Sequence, residues 1–279
     1  LDLVIGNELD DGVGLLLGVG DGTFAAPVRL PVNRSPLAVL LGDLNGDGKL
    51  DLVVGDTSSV LSTRFGKGDG SFAERVDYPT VGIANEVALG DVDGDGKLDI
   101  ATLISGSDVY TSFVAVLLGQ GDRTFATNSA YPAGAEPTSV VLGDLDSDGE
   151  LDIVTANAGA GSVSVFRGKG DGSFAGHVDY VTGASPQSPV LGDVNGDGTS
   201  DVALISGDQV SVLLGKGKGI FAAPVDSVTG AGPRALALGD LDGDGQLDMV
   251  TANCAPEAKA GTVTSLLGHG DGTFAAKVE

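Results

Sequence analysis

Tryptophan is absent from this chain of 279 residues, aromatic residues make up 5% of it, and there are two histidines, one methionine and one cysteine. A lone Cys254 excludes an intrachain disulfide, so any staple beyond the apolar core must be of another kind. No apolar run reaches the roughly 18 residues of a membrane span. No stretch sustains a 3.6-residue period, so no helix is expected. Basic residues are scarce, 15 against 39 acidic, and the net charge of −24 argues against nucleic acid and anionic membranes as partners. Neither histidine sits in a catalytic pattern. His269 precedes a turn where other repeats have lysine or valine, and His177 lies in a strand, so both are expected to be structural or surface residues.

Glycine and aspartate fill the space those absences leave. The 46 glycines follow no Gly-X-Y period and so mean turns, not collagen. Nearly half of the 39 acidic residues stand in five copies of one nine-residue loop. Its first copy has Asp43, Asn45, Asp47 and Asp51 at positions one, three, five and nine, Gly48 at six and Lys49 at seven. The others are Asp91, Asp93, Asp95, Lys97, Asp99; Asp144, Asp146, Asp148, Glu150, Asp152; Asp193, Asn195, Asp197, Thr199, Asp201; and Asp240, Asp242, Asp244, Gln246, Asp248. A glycine turn can bring oxygens two residues apart onto one hard cation, with position seven adding its backbone carbonyl. Carboxylates packed this closely repel one another unless a cation lies between them. Five Ca²⁺ sites are therefore expected. The two with asparagine, at Asn45 and Asn195, carry less charge and are expected to be weaker. A helix–loop–helix calcium motif would need flanking helices, and strand-like residues follow instead.

The loops belong to a repeat. From the first loop position to the ninth is always eight residues. From a strand-ending glycine (Gly18, Gly66, Gly119, Gly168, Gly215, Gly268) to a phenylalanine (Phe24, Phe72, Phe125, Phe174, Phe221, Phe274) is always six, and from there to the next loop nineteen. Only the interval from ninth position to strand-ending glycine varies: 16, 15, 20, 16, 14 and 20 residues. Six units follow, about 1–42, 43–90, 91–143, 144–192, 193–239 and 240–279, the first without its loop because Asp2 already holds a ninth position. The chain opens without Met and inside a repeat, so it is expected to be a piece of a longer one.

Short apolar runs such as Leu52–Val54 and Ile153–Thr155 suit strands buried on both faces. Gly-Asp-Gly sequences such as 68–70 suit hairpin turns; with no P-loop lysine following, they are not phosphate cradles. The six phenylalanines are expected to anchor the core. Four short strands per unit of about 47–53 residues predict an all-β fold, a β-propeller of four-stranded blades forming one domain over 1–279.

The loops, the Phe65-Gly66 pair with its Leu-Gly and Arg-Gly counterparts, and the Gly-Asp-Gly-Thr/Ser-Phe turns resemble FG-GAP/VCBS repeats, the blades of integrin α-subunit propellers and of many secreted bacterial proteins. The resemblance covers the whole chain. It implies that the loop joins the first and second strands of a blade and binds Ca²⁺, and that the parent ring has six or seven blades. Lys218-Gly219-Ile220 departs from the turn pattern.

The function expected from this is a calcium-stabilised binding or adhesion module, extracellular or at the cell surface, with a protein or glycan ligand. A lectin-like propeller and an accessory domain of a larger secreted enzyme are the alternatives. Catalysis within the chain is not expected, since the clustered carboxylates look committed to metal. In an alternating blade the constant loops and turns share one end, and the variable connectors occupy the other, where recognition is expected. The longest connectors, 105–112 and 253–261, offer Asp108, Tyr110, Cys254, Glu257 and Lys259.

Overall fold

A computed structural model describes residues 2–7, 9, 11–105, 112–254 and 260–275. Among these residues there are strands and turns and no helix. The chain divides into two compact units, Leu1–Pro132 and Ala133–Glu279.

The first unit holds three antiparallel sheets. Sheet one is β1 (Leu3–Asn7), β2 (Gly12–Leu16) and β3 (Val28–Pro31). Sheet two is β4 (Pro36–Gly42), β5 (Asp51–Asp56), β6 (Val60–Arg64) and β7 (Val76–Pro79). Sheet three is β8 (Ile83–Gly90), β9 (Asp99–Ser105), β10 (Ser112–Gly119) and β11 (Phe125–Pro132). The second unit holds three more. Sheet four is β12 (Pro137–Gly143), β13 (Asp152–Asn157), β14 (Ser162–Phe166) and β15 (Val178–Val181). Sheet five is β16 (Pro186–Gly192), β17 (Asp201–Ser206), β18 (Gln209–Leu213) and β19 (Val225–Val228). Sheet six is β20 (Pro233–Gly239), β21 (Asp248–Asn253) and β22 (Thr262–Leu266). Each is a meander in chain order, the arrangement expected of propeller blades.

The nine-residue loops join the first and second strands of sheets two to six, so the repeat that begins at a loop is offset from the sheet by one strand. The second strands β5, β13 and β17 are buried along their whole length, as continuous apolar runs require. The first strands β4, β8, β12, β16 and β20 each carry a register shift near their start, and four of these five open on a proline, which a first residue tolerates because it need not donate to the ladder.

Within the first unit, sheets two and three pack through Val53, Leu61, Phe65, Ile100 and Ile104, and sheets one and two through Val13, Leu52 and Val54. In the second unit, sheets four and five meet through Val154, Val165, Val202 and Leu213, and sheets five and six through Ile205, Val212, Met249 and Leu266. Each such side chain contributes about 1.5–3 kcal/mol on burial. Loop position two also reaches the core: Leu44, Val92, Leu145 and Val194 are buried.

The phenylalanines divide. Phe174 and Phe221 are buried, Phe72, Phe125 and Phe274 are half-buried, and Phe24 is exposed. Their anchoring is therefore not uniform. At two of them the ring meets a tyrosine of the preceding sheet edge-on: Tyr78 on Phe125 at 5.5 Å and Tyr180 on Phe221 at 5.4 Å between centroids. Those hydroxyls donate to the Arg123 and Gly219 carbonyls in the next hairpin turn.

Candidate metal centres

Each loop is a cage of backbone amides around carboxylates. At position one, Asp43, Asp91, Asp144, Asp193 and Asp240 accept the N–H of position six at 2.7–3.0 Å. At position five, Asp47, Asp95, Asp148, Asp197 and Asp244 accept the N–H of position seven at 2.8–3.0 Å. Position six is glycine with φ between +78° and +90°, and a Cβ there would meet nothing within 4 Å, so its conformation and not space demands glycine. Position four shares this left-handed geometry: Gly46, Gly94, Gly196 and Gly243 adopt it, and so does Ser147 at φ 62°. That second turn was missed from sequence, although four glycines out of five signalled it.

Position nine has two jobs. Asp51, Asp99, Asp152, Asp201 and Asp248 are buried, and one oxygen of each accepts the N–H of loop position two at 2.7–3.0 Å. The other accepts the N–H of the strand-ending glycine (Gly66, Gly119, Gly168, Gly215, Gly268) at 2.7–2.8 Å. Asp2 makes the same bond to Gly18 at 2.8 Å. A Cβ on any of those five glycines would lie 2.1–2.5 Å from the carbonyl of loop position eight, which leaves glycine as the residue that fits. The intervening interval varies in length, so sequence spacing concealed this contact.

Three loops converge their carboxylates. In Asp91/Asp93/Asp99, Asp144/Asp146/Asp152 and Asp240/Asp242/Asp248, one oxygen from each residue lies within 4.8 Å of the others, a grouping able to hold a metal ion. Asp146 adds a sharper mark. Its Oδ1 is buried and has no hydrogen-bond partner, a costly state for a carboxylate unless a cation supplies the missing interaction. This donor set of hard oxygens suits Ca²⁺. In the other two loops the asparagine amide meets a carboxylate: Asn45 Nδ2 donates to Asp51 Oδ2 at 3.2 Å, and Asn195 Nδ2 to Asp197 Oδ2 at 2.9 Å. At position seven the side chains of Lys49, Lys97, Glu150 and Gln246 lie against turn glycines Gly68, Gly121, Gly170 and Gly270, and Thr199 Oγ1 bonds Asp197. What position seven can offer a cation is thus its carbonyl.

The electrostatics differ by position. Burial pushes the Asp99 and Asp152 carboxyls up to about 6, against the two amide donors and helped by neighbouring carboxylates. Burial raises Asp51, Asp201, Asp93 and Asp146 as well. At Asp43 burial also pulls upward, but the amides of Gly48, Asp47, Gly46 and Asn45 together outweigh it and hold the carboxyl below its usual value. Fixed cations stand nearby. Lys97 Nζ is 2.5 Å from Asp95, Arg167 is 3.9 Å from Asp146, and Arg123 is 3.9 Å from Asp47 while its guanidinium covers the Phe65 ring at 5.3 Å.

Elsewhere, His177 Nε2 lies 3.6 Å from Asp179 and its ring packs on Phe166, and His269 Nδ1 bonds the Thr273 hydroxyl at 3.0 Å, so both histidines stand in structural contacts. Cys254 is exposed with a free thiol. Asp108, Tyr110, Glu257 and Lys259 lie outside the described residues. In the departing turn Lys218 takes φ 59°, and the Gly215–Phe221 bridge still forms.

A family model for the FG-GAP-like repeat matches residues 1–54, 43–102, 144–204 and 193–251. No curated protein sequence matches the chain. Several solved β-propeller structures do. An Agrocybe aegerita lectin that recognises non-reducing terminal N-acetylglucosamine aligns with TM-score 0.67 and 18% identity over 99% of this chain and 79% of its own. The Pseudomonas aeruginosa periplasmic gluconolactonase PpgL aligns with TM-score 0.67 and 16% identity over 100% and 82%. BBS1N, solved in complex with ARL6DN, aligns with TM-score 0.66 and 15% identity over 99% and 77%. At these identities the likeness establishes the fold alone. It also corrects one expectation. Catalysis was set aside because the carboxylates look committed to metal, yet an enzyme shares this fold over the whole chain. The physical reason is that the aspartate loops occupy one end of sheets two to six and leave the other connections free, so metal sites in the loops do not exclude chemistry elsewhere on the scaffold.

Proposed function

Because the chain belongs to the FG-GAP-like repeat family, we propose that it is a calcium-stabilised β-propeller, one domain of six repeat units, that works as a binding module outside the cytosol. The observation that carries this reading is the cluster around Asp146: three carboxylates within 4.8 Å, one of them with a buried oxygen lacking any partner. About five Ca²⁺ ions are held, one per loop, by positions one, three, five and nine and the carbonyl of position seven. Such sites fill where calcium is millimolar, which favours an extracellular or surface location. The ligand is an extracellular protein or a glycan. The lectin among the relatives favours the glycan, and BBS1N in its complex is the precedent for a protein.

Two measurements test it. Equilibrium dialysis of metal-free protein against Ca²⁺ is expected to return about five ions per chain; binding of none would overturn the reading. A glycan array probed with the calcium-loaded protein is expected to return specific hits, and an empty array would leave the protein ligand.

A further inference from the structure

One position of the repeat is out of character. Two residues before the strand-ending glycine stand Leu16, Leu117, Phe166, Leu213 and Leu266, and the last four are 5% exposed or less. In sheet two this place belongs to Arg64. Its guanidinium replaces a core side chain and is half-buried in the edge of a cleft of about 600 Å³, lined by Pro31, Arg64, Glu74, Arg75, Val76 and Asp77.

Arg64 is fixed but not neutralised. It donates to two backbone carbonyls, Pro31 at 2.8 Å and Ala73 at 3.4 Å, and among the described residues no carboxylate lies within ion-pair distance of it. Burial, and then the charge of Arg75, hold its pKa below the ordinary arginine value, while Glu74 and Asp77 act the other way. Arg75 itself is satisfied. It meets Asp77 with Nε at 2.8 Å and with a terminal nitrogen at 3.1 Å, and the same nitrogen donates to Asn33 Oδ1 at 2.5 Å. The cleft therefore presents one guanidinium with spare donors, an ion pair beside it, an exposed Glu74, and apolar walls from Pro31 and Val76.

We propose that this cleft binds an acidic saccharide through a sugar carboxylate on Arg64. The planar fork of a guanidinium matches a carboxylate in two parallel hydrogen bonds. A phosphate or sulfate group that brings two charges to Arg64 itself is opposed by Glu74 and Asp77 more strongly than a single sugar carboxylate is. The same two acids can accept from ring hydroxyls, and Pro31 and Val76 can lie against the ring. The inference rests on the glycan form of the proposed function but not on the connectors or on calcium occupancy.

The test uses the calcium-loaded chain and titrates it calorimetrically with digalacturonate, its methyl ester and N-acetylglutamate. Digalacturonate is expected to bind, and the ester at least roughly tenfold more weakly, since a hydrogen-bonded charge is lost. Arg64→Leu is expected to abolish binding and to melt no lower than the wild type, because leucine is what four of the five other repeats carry there. Arg64→Lys keeps the charge without the fork and is expected to weaken binding several-fold, which guards against misfolding of the first variant. No binding of digalacturonate by the wild type, or equal binding by Arg64→Leu, overturns the proposal. Binding of N-acetylglutamate as tight as that of digalacturonate overturns the saccharide assignment. Array hits confined to neutral glycans would sink this site while leaving the binding-module reading in place.

Discussion

The two ends of a sheet are held by different physics. At the loop end the second strands of sheets two to six each begin on an aspartate that accepts two backbone amides in the same geometry, from Asp51 through Asp248. At the other end the same strands finish on Asp56, Ser105, Asn157, Ser206 or Asn253, and only the two asparagines are held alike, while Ser105 accepts from the Asn85 amide. Asp56 accepts the Ser58 amide, Asn157 and Asn253 donate to Ser164 and Thr264 at 2.8 Å, and Ser206 donates to the Thr182 carbonyl. Single side-chain bonds of this kind can be exchanged one at a time. Amides that converge on an acid cluster cannot, because each aspartate holds several of them at once. The first end is constant in length and the second varies.

Removal of calcium should break this contrast most visibly. A site filled at hundredfold excess over Kd stabilises by about 2.7 kcal/mol, and five such sites rival the whole stability of an ordinary domain. Chelation with EGTA is expected to lower the Tm by more than about 10 °C in differential scanning calorimetry. An unchanged melt of protein proven metal-free would refute it.

Next in size is the split between loop positions nine and three. Asp152→Ala removes two amide acceptors from a buried site and should cost about 2–4 kcal/mol even in EGTA. Asp146→Ala removes an unpartnered oxygen, so it should be neutral or stabilising in EGTA and destabilising in calcium. Urea melts of both variants in the two buffers check the reversal of sign.

Acid should act oppositely on the two metal states. The folded pKa of Asp99 and of Asp152 is raised to about 6 from an ordinary 3.8. Protonation thus favours the metal-free fold, with the benefit full below about pH 4 and lost as pH rises through 6. Between pH 7 and 5 the metal-free protein should gain stability while the calcium-loaded protein loses it. Parallel slopes in thermal melts across that window would contradict the assignment.

Smaller effects sharpen the contrast. Asn195→Asp removes an amide that donates to Asp197 and adds a charged oxygen, so its site should bind Ca²⁺ several-fold more tightly by calorimetry. At the variable end, Asp208→Ala loses one exposed bond to the Gly232 amide and should change stability by less than about 0.5 kcal/mol, with calcium affinity untouched.

Much of this was legible from residues alone. The nine-residue loops, the buried second strands and the Gly-Asp-Gly hairpins carry their geometry in local spacing, and local spacing is what a single sequence displays. The bond from position nine to the strand-ending glycine spans an interval of variable length, so nothing in the spacing marks it. The exposure of Phe24 and the edge-on pairs of Tyr78 and Tyr180 depend on which sheet lies alongside. Arg64 was visible as a departure only once the other sheets showed that its place is a core position. The exclusion of catalysis failed because it treated the aspartates as if they used up the whole scaffold.

The one-strand offset between repeat and sheet has a consequence for how such a chain can grow or be cut. The stretch that copies itself is not the stretch that folds. A duplication bounded by loops inserts three strands of one sheet and the opening strand of the next, so every new copy is stitched to both neighbours by strand pairing as well as by covalent bonds. Excision along the same boundaries, as with 144–192, would remove β13 to β16 and lead β12 through the next loop onto β17, so that β12 can complete the sheet of β17, β18 and β19, whereas a deletion that begins or ends inside a sheet would leave a strand edge unpaired. Inheritance and architecture run out of phase here, and that phase difference itself locks consecutive copies together.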